Sequence, residues 1–342
     1  MSANPLPPAT PLFVGIDLGG TKIAAAIGTS EGHILSNARI DTYGVGGKKD
    51  LTPADTLRRI ADLIRKLECA SVAASAIGIG LPGLVDSSGA AQFLPNLPGH
   101  WTGVPVTTTL TELTGHPTFA LNDARMATLG EFVFGDGRQT DRLLLLTLGT
   151  GIGGGLVLDG RLQFGLYGGA GEIGHQTIVP DGPPCVCGSR GCLETLASGP
   201  AITASALKLI ESGAAEELRT FANDGTLNPR HVAQAADKGN PACAELIARA
   251  AEFIGIGIAN AVTLTAVDTV VLTGGLAALG DRLLKPIRTT VTDRVRMFPT
   301  SGIRIEISEL GEQAALLGAI ALASRHPAAP PSANFRTTGP NP

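Results

Sequence analysis

The sequence predicts an α/β fold made of two related halves. Short apolar runs that end at glycines alternate with stretches of helical periodicity, which is the pattern of α/β proteins. Two apolar runs joined by a Gly/Thr turn occur twice, in PLFVGIDLGGTKIAAAIG and in LLLLTLGTGIGGGLVLDG, and the first half of this pattern returns in DTVVLTGG. Such spaced repetition indicates two halves that face each other across a cleft. The 342-residue chain also exceeds the size of a single typical core.

Composition limits the class of protein. Hydrophobic residues make up 44% of the chain and charged residues 16%, which is typical of a globular protein with a large buried fraction. The net charge is −4 and no Lys/Arg cluster is present, so nucleic acid is not an expected partner. No apolar run reaches the roughly 18 residues that span a bilayer, and the N-terminus lacks the features of a signal peptide. We therefore expect a cytoplasmic protein that binds no membrane.

The first half begins after a proline-rich tail, residues 1–10. Its two opening apolar runs predict an antiparallel hairpin that turns across Asp17 to Lys22. Apolar residues at helical spacing predict helices in DTLRRIADLIRKLECA and over residues 124–134, and SAIGIGLPGLVD between them is strand-like.

The second half opens with the other Gly/Thr hairpin and continues into a long helix. Asn240 and Pro241 form a suitable N-cap and first residue for that helix, which runs through CAELIARAAEFIGIGIANAVTL. A strand, IRIEIS, and a last helix, GEQAALLGAIALAS, precede a second tail, residues 326–342.

The first hairpin is a candidate phosphate site. Its residues are Asp17, Gly19, Gly20, Thr21 and Lys22. Glycines let backbone N–H groups approach an anion, the threonine adds a hydroxyl donor, and the aspartate could hold Mg²⁺ through water. An ordinary glycine turn is the alternative, and the second Gly/Thr hairpin favours the functional interpretation.

Two segments, Gly149–Gly154 and Gly78–Gly83, match the dinucleotide pattern G-x-G-x-x-G. That pattern binds a dinucleotide only where a helix follows the glycines directly. Strand-like segments, GLVLDG and LVDSSG, follow here. The sequence therefore argues against a bound NAD.

A zinc site is predicted beside the second hairpin. Its ligands are His175, Cys185, Cys187 and Cys192, from a chain with only five cysteines. One histidine and three thiolates make a closed tetrahedral site with no position for a reacting water, so the metal is structural. Glu172 and Glu194 bracket the segment and are candidate acceptors for polyol hydroxyls. The other cysteines, Cys69 and Cys243, lie in helix-like apolar contexts and are expected in the core.

Asp123 is a candidate general base. Asn122 and Asp123 end the strand-like TFALN and begin the helix over residues 124–134. A helix N-terminus keeps a carboxylate ionised, and the anion can accept a hydroxyl proton. A simple helix cap is the alternative role for Asp123.

Together these motifs resemble the ROK family, the sugar kinases and repressors that share the two-lobed, actin-like and hexokinase-type (ribonuclease H-like) ATPase fold with an interlobe cleft. DLGGTK and LGTGIGGG are similar to its two phosphate motifs, NDA to its catalytic segment and VLTGG to its adenosine motif. LPGLVD and PNLPGHW are similar to its sugar-side loops, and GEIGH with CVCGSRGCLE to its zinc-and-sugar signature. The resemblance covers about residues 12–325.

The resemblance implies a role for each matching residue. Asp123 is the base that takes the proton from the sugar's 6-hydroxyl as this oxygen attacks the γ-phosphate of ATP. The implied sugar-binding residues are Gly83, Asn96, Asn122, Asp123, Glu172, His175 and Glu194. The implied nucleotide- and phosphate-binding residues are Asp17, Gly19, Gly20, Thr21, Lys22, Thr150, Gly151, Gly274 and Gly275. The implied cofactors are ATP with Mg²⁺, and structural Zn²⁺.

The resemblance also implies an organisation and a function. The small lobe would comprise residues 11–123 and 312–325, and the large lobe residues 124–311 with the zinc segment. A homodimer that converts glucose to glucose 6-phosphate in glycolysis is the expected protein.

Two alternatives remain. N-acetylglucosamine or N-acetylmannosamine could be the substrate, because no residue can be assigned to recognition of the 2-substituent. A non-catalytic, sugar-sensing regulator belongs to another class. Repressors of the family carry a DNA-binding domain before DLGGTK, whereas only residues 1–16 precede Asp17 here, which favours the kinase.

The chain departs from the family pattern at two positions. Arg125 stands where the kinases have asparagine two residues after the catalytic aspartate. Its side chain either binds phosphate or points to solvent, and the sequence does not decide between these. His100 is inserted before the tryptophan that usually follows NLPG directly.

Overall fold

The computed structural model describes residues 10–43, 51–68, 73–94 and 97–325. Both predicted tails, except Thr10, and also Cys69 and Asn96 lie outside these residues. Chain contacts define two compact units. Unit 1 comprises the described residues of Met1–Gln139, Gly160–Ala170 and Glu312–Pro342, and unit 2 comprises Thr140–Asp159 and Gly171–Gly311.

The elements alternate as expected for the α/β class. The strands are β1 (Leu12–Leu18), β2 (Lys22–Thr29), β3 (Ile34–Asp41), β4 (Ala76–Leu81), β5 (Leu84–Val85), β6 (Ala91–Phe93), β7 (Thr118–Asn122), β8 (Leu143–Leu148), β9 (Ile152–Leu158), β10 (Arg161–Leu162), β11 (Thr269–Thr273) and β12 (Arg304–Ile307). The helices are α1 (Pro53–Glu68), α2 (Val106–Thr114), α3 (Asp123–Phe134), α4 (Leu193–Ala197), α5 (Gly199–Glu211), α6 (Arg219–Asn223), α7 (Pro229–Asp237), α8 (Pro241–Thr265), α9 (Asp281–Arg294) and α10 (Ala314–Arg325).

Unit 1 is built on a five-stranded sheet of order β3-β2-β1-β4-β7. Strands β1 and β2 form the predicted antiparallel hairpin, and Leu18 pairs with Ile23 across its turn. Strand β4 runs parallel to β1, and β7 parallel to β4. Strand β3, which the sequence analysis did not predict, extends the hairpin at the edge.

The two faces of this sheet pack against different helices, because successive side chains of a strand point to opposite faces. Val14 and Ile16 of β1 share a buried cluster with residues of α1 and α2. Phe13 shares another with Leu316 and Ile320 of α10. On that second face a Cβ at Gly78 of β4 would lie within 3.0 Å of the α10 backbone, so α10 can pack this closely only against a glycine.

Unit 2 repeats the arrangement. Strands β8 and β9 form the second predicted antiparallel hairpin, and β11 runs parallel to both β8 and β12. The order β9-β8-β11-β12 in this unit corresponds to β2-β1-β4-β7 in unit 1. The relation between the two halves that the repeated motif predicted is therefore present in the topology.

The long helix α8 begins as predicted. The side chain of Asn240 accepts a hydrogen bond from the amide of Cys243 at 3.0 Å, and Pro241 follows it in the first turn. Cys243 is buried in the core of unit 2, as expected. The helices α4 to α7 were not predicted. None of the described helices has both the length and the apolar character needed to span a membrane.

The position of α3 bears on the domain boundaries. A Cβ at Gly130 of α3 would lie within 3.0 Å of the Ala314 backbone in α10, and one at Gly318 of α10 within 3.0 Å of the Met126 backbone in α3. This close helix packing keeps α3 in unit 1, which runs on to Gln139, whereas the predicted small lobe ends at residue 123. Residues 160–170 also join unit 1. The lobe boundaries remain a prediction.

Candidate functional site

In unit 1 the first hairpin and the Asn122–Asp123 pair lie at one edge of the sheet. Asp17 pairs in register with Gly80 of β4, and Leu81 of β4 pairs with Asn122 of β7. Because these strands are parallel, their carboxyl ends share an edge, which is where α/β proteins bind ligands. The first hairpin and the start of α3 therefore lie at the same edge.

Asp123 is the first residue of α3 and Asn122 is its N-cap. Asp123 Oδ1 accepts hydrogen bonds from the Asn122 side chain at 3.0 Å and from the Ala124 amide at 2.8 Å. The Asn122 amide group also donates to the carbonyl of Gly83, at 3.0 Å. The capping role thus belongs to Asn122, and the carboxylate of Asp123 is held in place at the helix N-terminus.

The first hairpin is a tight turn. The Gly19 amide donates to the Lys22 carbonyl at 2.9 Å, and the Thr42 hydroxyl donates to the Gly19 carbonyl at 2.7 Å. Thr21 is exposed at the tip. Asp17 lies at the base, where burial raises the pKa of its carboxyl group although Lys22 and Arg39 oppose that effect.

Lys22 has a partner that the sequence did not reveal. Glu312, which precedes α10, accepts hydrogen bonds from Lys22 Nζ at 3.2 Å and from Arg39 Nη2 at 2.7 Å. The hydrogen bonds from Arg39 and Lys22 lower the pKa of the Glu312 carboxyl group. No local pattern could have found this cluster, since Lys22 and Glu312 are far apart in the chain.

The sugar-side loops of unit 1 are only partly described. A Cβ at Gly83 would lie within 3.0 Å of the Phe93 backbone, and the φ of Gly83 is 138°, so this turn needs glycine. Trp101 is 2% exposed and its Nε1 donates to the Pro98 carbonyl at 2.8 Å. His100 is exposed. The predicted sugar residue Asn96 lies outside the described residues.

The Arg125 side chain does not point to solvent. The residue is 3% exposed, and its Nη2 donates to the carbonyl of Ala170 at 2.8 Å. Its backbone amide donates to the Asn122 side chain at 3.1 Å. The solvent-facing alternative is therefore wrong.

In unit 2 two glycine loops share one sheet edge. The amide of Leu276 donates to the Leu148 carbonyl at 3.0 Å, which places the loop after β11 beside the turn after β8. A Cβ at Gly274 would lie within 3.0 Å of the Leu148 backbone, and its φ is 94°. The two predicted nucleotide segments, 150–151 and 274–275, are thus brought together.

Glu194 contacts the second Gly/Thr turn. Its Oε2 accepts a hydrogen bond from the Ile152 amide at 2.8 Å. A Cβ at Gly151 would lie within 3.0 Å of the same oxygen. Glu194 belongs to α4, which begins directly after Cys192. One carboxylate therefore connects the cysteine segment with the turn.

The four predicted metal ligands form one cluster. The ligand atoms of His175, Cys185, Cys187 and Cys192 all lie within 4.8 Å of one another. His175 Nδ1 is 3.6 Å from Cys185 Sγ, and Cys187 Sγ is 3.8 Å from Cys192 Sγ. Around a tetrahedral zinc, two sulfurs would be about 3.8 Å apart, and a sulfur and a nitrogen about 3.5 Å. These separations suit the donor set of a zinc site.

The thiols of the cluster differ in environment. Burial raises the pKa of the Cys192 thiol to about 12. A hydrogen bond from the Ser189 backbone lowers the pKa of Cys187, which is exposed. The four described cysteines form no disulfide.

The backbone around Glu172 packs closely on β9. A Cβ at Gly171 would lie within 3.0 Å of the Gly155 backbone, and one at Gly174 within 3.0 Å of the Ile152 backbone. The 3-10 turn Ile173–His175 follows directly. The segment of Glu172 therefore lies close against β9, and glycines on both sides make this possible.

Comparisons with known proteins identify relatives that match nearly the whole chain. The chain is 34% identical to a glucokinase of Thermotoga maritima over 91% of its own length and 96% of that protein. It is 31% identical to a xylose repressor of Caldicellulosiruptor bescii, over 91% of this chain and 77% of that one. A ROK family glucokinase from Streptomyces griseus, solved in complex with glucose and AMPPNP, superimposes with a TM-score of 0.78 at 32% identity, covering 92% of this chain and 100% of that one.

The fold is thus the predicted actin-like, hexokinase-type ATPase fold. The model of the ROK family matches residues 13–326, and the chain belongs to this family.

Proposed function

We propose that this protein is an ATP-dependent hexose kinase that phosphorylates glucose at its 6-hydroxyl. The observation that carries the proposal is the likeness to the Thermotoga glucokinase, which extends over nearly the whole of both chains. The carboxylate at the start of α3 supports it, because transfer to a hydroxyl needs a base at a fixed position.

Asp123 is the proposed base. It would take the proton of the 6-hydroxyl while the sugar oxygen forms a bond to the γ-phosphorus of ATP and the bond from this phosphorus to the bridging oxygen of ADP breaks. The hydrogen bonds from Asn122 and Ala124 to Oδ1 fix the orientation of the carboxylate. The residue would therefore meet the incoming hydroxyl without a costly reorientation.

The proposed nucleotide-binding segments are bounded by glycines. These segments are the first hairpin with Gly19, Gly20, Thr21 and Lys22, the turn with Thr150 and Gly151, and the loop with Gly274 and Gly275. The ion pairs of Glu312 with Lys22 and Arg39 are largely exposed and so contribute little stability. The phosphates of the nucleotide could therefore replace Glu312 as the partner of Lys22 and Arg39 at a small cost in free energy.

Mg²⁺ bound with the nucleotide would neutralise charge on the transferred phosphoryl group. Asp17 is the residue that we assign to hold it, through water. Its carboxyl group lies beneath the hairpin, at the edge that also carries Asp123.

The sugar would be bound by Gly83, Asn96, Asn122, Glu172, His175 and Glu194, with zinc keeping the last three in place. Since His175 Nδ1 faces Cys185, this nitrogen is the proposed ligand atom. Nε2 would then carry the proton and donate to a sugar hydroxyl. Glu194 uses Oε2 for the Ile152 amide, and we assign Oε1 to the sugar.

We further propose a cytoplasmic homodimer whose product enters glycolysis. Three thiolates that bind zinc suit a reducing compartment. The dimer follows from the family resemblance, and size-exclusion chromatography with light scattering would test it.

A coupled assay with ATP and a panel of sugars tests the function. The panel comprises glucose, N-acetylglucosamine, N-acetylmannosamine, fructose and allose. We expect the largest kcat/KM for glucose. A kcat/KM for glucose below that for N-acetylglucosamine would move the assignment to an N-acetylhexosamine kinase. No phosphorylation of any sugar would favour the regulator.

A further inference from the structure

Arg125 connects two segments that the proposed function uses. Its backbone amide is bound by Asn122, the N-cap of the helix that begins with Asp123. Its guanidinium group is buried and donates to the carbonyl of Ala170. Ala170 lies two positions before Glu172. One side chain therefore links the helix of the proposed base to the segment that leads to a proposed sugar ligand.

The segment that Arg125 reaches is a glycine-rich loop, residues 165–170. The Ala170 amide donates to the carbonyl of Phe164, and the Gly169 amide donates to the carbonyl of Leu166, both at 2.9 Å. Gly165 and Gly168 have positive φ, 65° and 74°, and two flexible glycines make the loop costly to order. Leu166 is exposed and adds little packing. A charged donor on the last carbonyl of the loop therefore limits its freedom.

After Ala170 the chain is fixed by other means. Gly171 and Gly174 pack closely on β9. The position of Glu172 thus depends on the loop of residues 165–170, which precedes Gly171, as well as on β9. The hydrogen bond from Arg125 to the Ala170 carbonyl acts on the preceding side.

We propose that Arg125 is a positioning residue for the sugar site, which acts by holding the carbonyl of Ala170 and thereby the approach to Glu172. This inference rests on the proposed function. It assigns Arg125 to the sugar and not to the phosphates, because its buried guanidinium group donates to the carbonyl of Ala170, two positions before the proposed sugar ligand Glu172.

The test compares Arg125→Met, which removes the donor, with Arg125→Lys, which keeps the charge and a donor. Arg288→Met is the matched control. Arg288 also donates to a backbone carbonyl, that of Ile305, through Nε at 3.0 Å and Nη2 at 2.6 Å, and it takes no part in the proposed site. Zinc content and melting temperature are measured for all variants to exclude misfolding.

For Arg125→Met we expect the KM for glucose to rise about tenfold or more, since small misplacements of binding groups can cost up to roughly 100-fold. The KM for ATP should change less than about twofold. Hydrogen exchange at the amides of residues 165–170 should accelerate in the absence of ligands, and Arg125→Lys should restore part of both effects. Arg288→Met should leave both KM values and this exchange unchanged.

Unchanged exchange over residues 165–170, or a larger rise in the KM for ATP than for glucose, would overturn the positioning role. If the wild-type protein phosphorylates no sugar, the proposed function fails, and the sugar-site role fails with it. The exchange experiment would still decide whether the contact holds the loop, so the two failures can be told apart.

Discussion

Glu194 accepts a hydrogen bond from the backbone amide of Ile152 at 2.8 Å. The turn that carries Gly151 and the helix that follows Cys192 are therefore coupled by one carboxylate. Because we assign Gly151 to the nucleotide and Glu194 to the sugar, this coupling predicts that a steric change on the nucleotide side disturbs sugar binding as well.

The Gly151→Ala variant tests this coupling. Its new methyl group would lie within 3.0 Å of Glu194 Oε2, so the carboxylate must move, and we expect its hydrogen bond with the Ile152 amide to weaken. We expect kcat/KM for glucose to fall about 10-fold to 100-fold. Gly149→Ala is the comparison in the same turn, because nothing lies within 4 Å of the Cβ it adds. Equal losses in the two variants would contradict the steric explanation.

Replacing the proposed base should affect the rate more than binding. We expect Asp123→Asn to lower kcat by about 100-fold or more, the range for loss of a general base. The amide has nearly the same shape, so glucose binding measured by calorimetry should persist. Asp281→Asn, at the exposed start of α9, is the control. A near-normal kcat in Asp123→Asn would leave this residue with no role in proton transfer.

The cysteine cluster should contain one equivalent of zinc in protein purified without chelators. We expect Cys187→Ala to lose the metal and to melt at a lower temperature, because zinc binding contributes folding free energy. Cys243→Ala, at a buried cysteine outside the cluster, should keep its zinc. Elemental analysis decides the matter. Less than half an equivalent in the wild type, or full zinc and activity in Cys187→Ala, would refute the site.

Asp17 should lower the stability of the fold at neutral pH, although its carboxylate serves the proposed binding of Mg²⁺. Since burial raises the pKa of its carboxyl group, the fold favours the protonated form. The stabilisation of the fold by the protonated Asp17 carboxyl group is present below its unfolded-state pKa of about 3.9. It is lost as pH rises through the folded-state pKa. Without nucleotide, Asp17→Asn should therefore raise the melting temperature at pH 7, by a margin that shrinks at acid pH. Its kcat/KM should fall at least about tenfold, because the proposed Mg²⁺ partner is lost.

Asp86→Asn is the control, because the pKa of the Asp86 carboxyl group is shifted in the direction opposite to that of Asp17. Hydrogen bonds from Ser88, Ala90 and Gln92 lower the pKa of Asp86, with the Ser88 side chain contributing most. That carboxylate stabilises the fold above its unfolded-state pKa and stops doing so as pH falls through the folded-state pKa. The variant should melt at a lower temperature at pH 7. Shifts of the same sign in the two variants would contradict the burial argument for Asp17.

Much of the site was predictable because its signals are local. A thiol cluster preceded by a histidine leaves few alternatives to zinc, and its ligand atoms do converge. Both Gly/Thr turns join antiparallel strands because apolar runs flank them directly. Asn122 was recognised at the boundary of strand and helix, although the structure gives the capping role to it and not to Asp123.

The remaining features depend on residues distant in the chain. No spacing rule relates Lys22 to Glu312, or Arg125 to Ala170, because sheet order and helix packing bring them together. Strand β3 alternates exposed and half-buried residues at a sheet edge, so it lacks the apolar pattern that marked its neighbours.

The sequence by itself determined the class of fold, the two turns, the clustering of one histidine with three cysteines and the position of Asp123 at a helix start. These depend on backbone preference, apolar periodicity and donor chemistry, which act over a few residues. Only the tertiary structure decided what Arg125 contacts, which side chain lies against Gly151 and which oxygen of Glu194 is already engaged. Those facts depend on distances between segments, and these are fixed only when the strands pair and the helices pack.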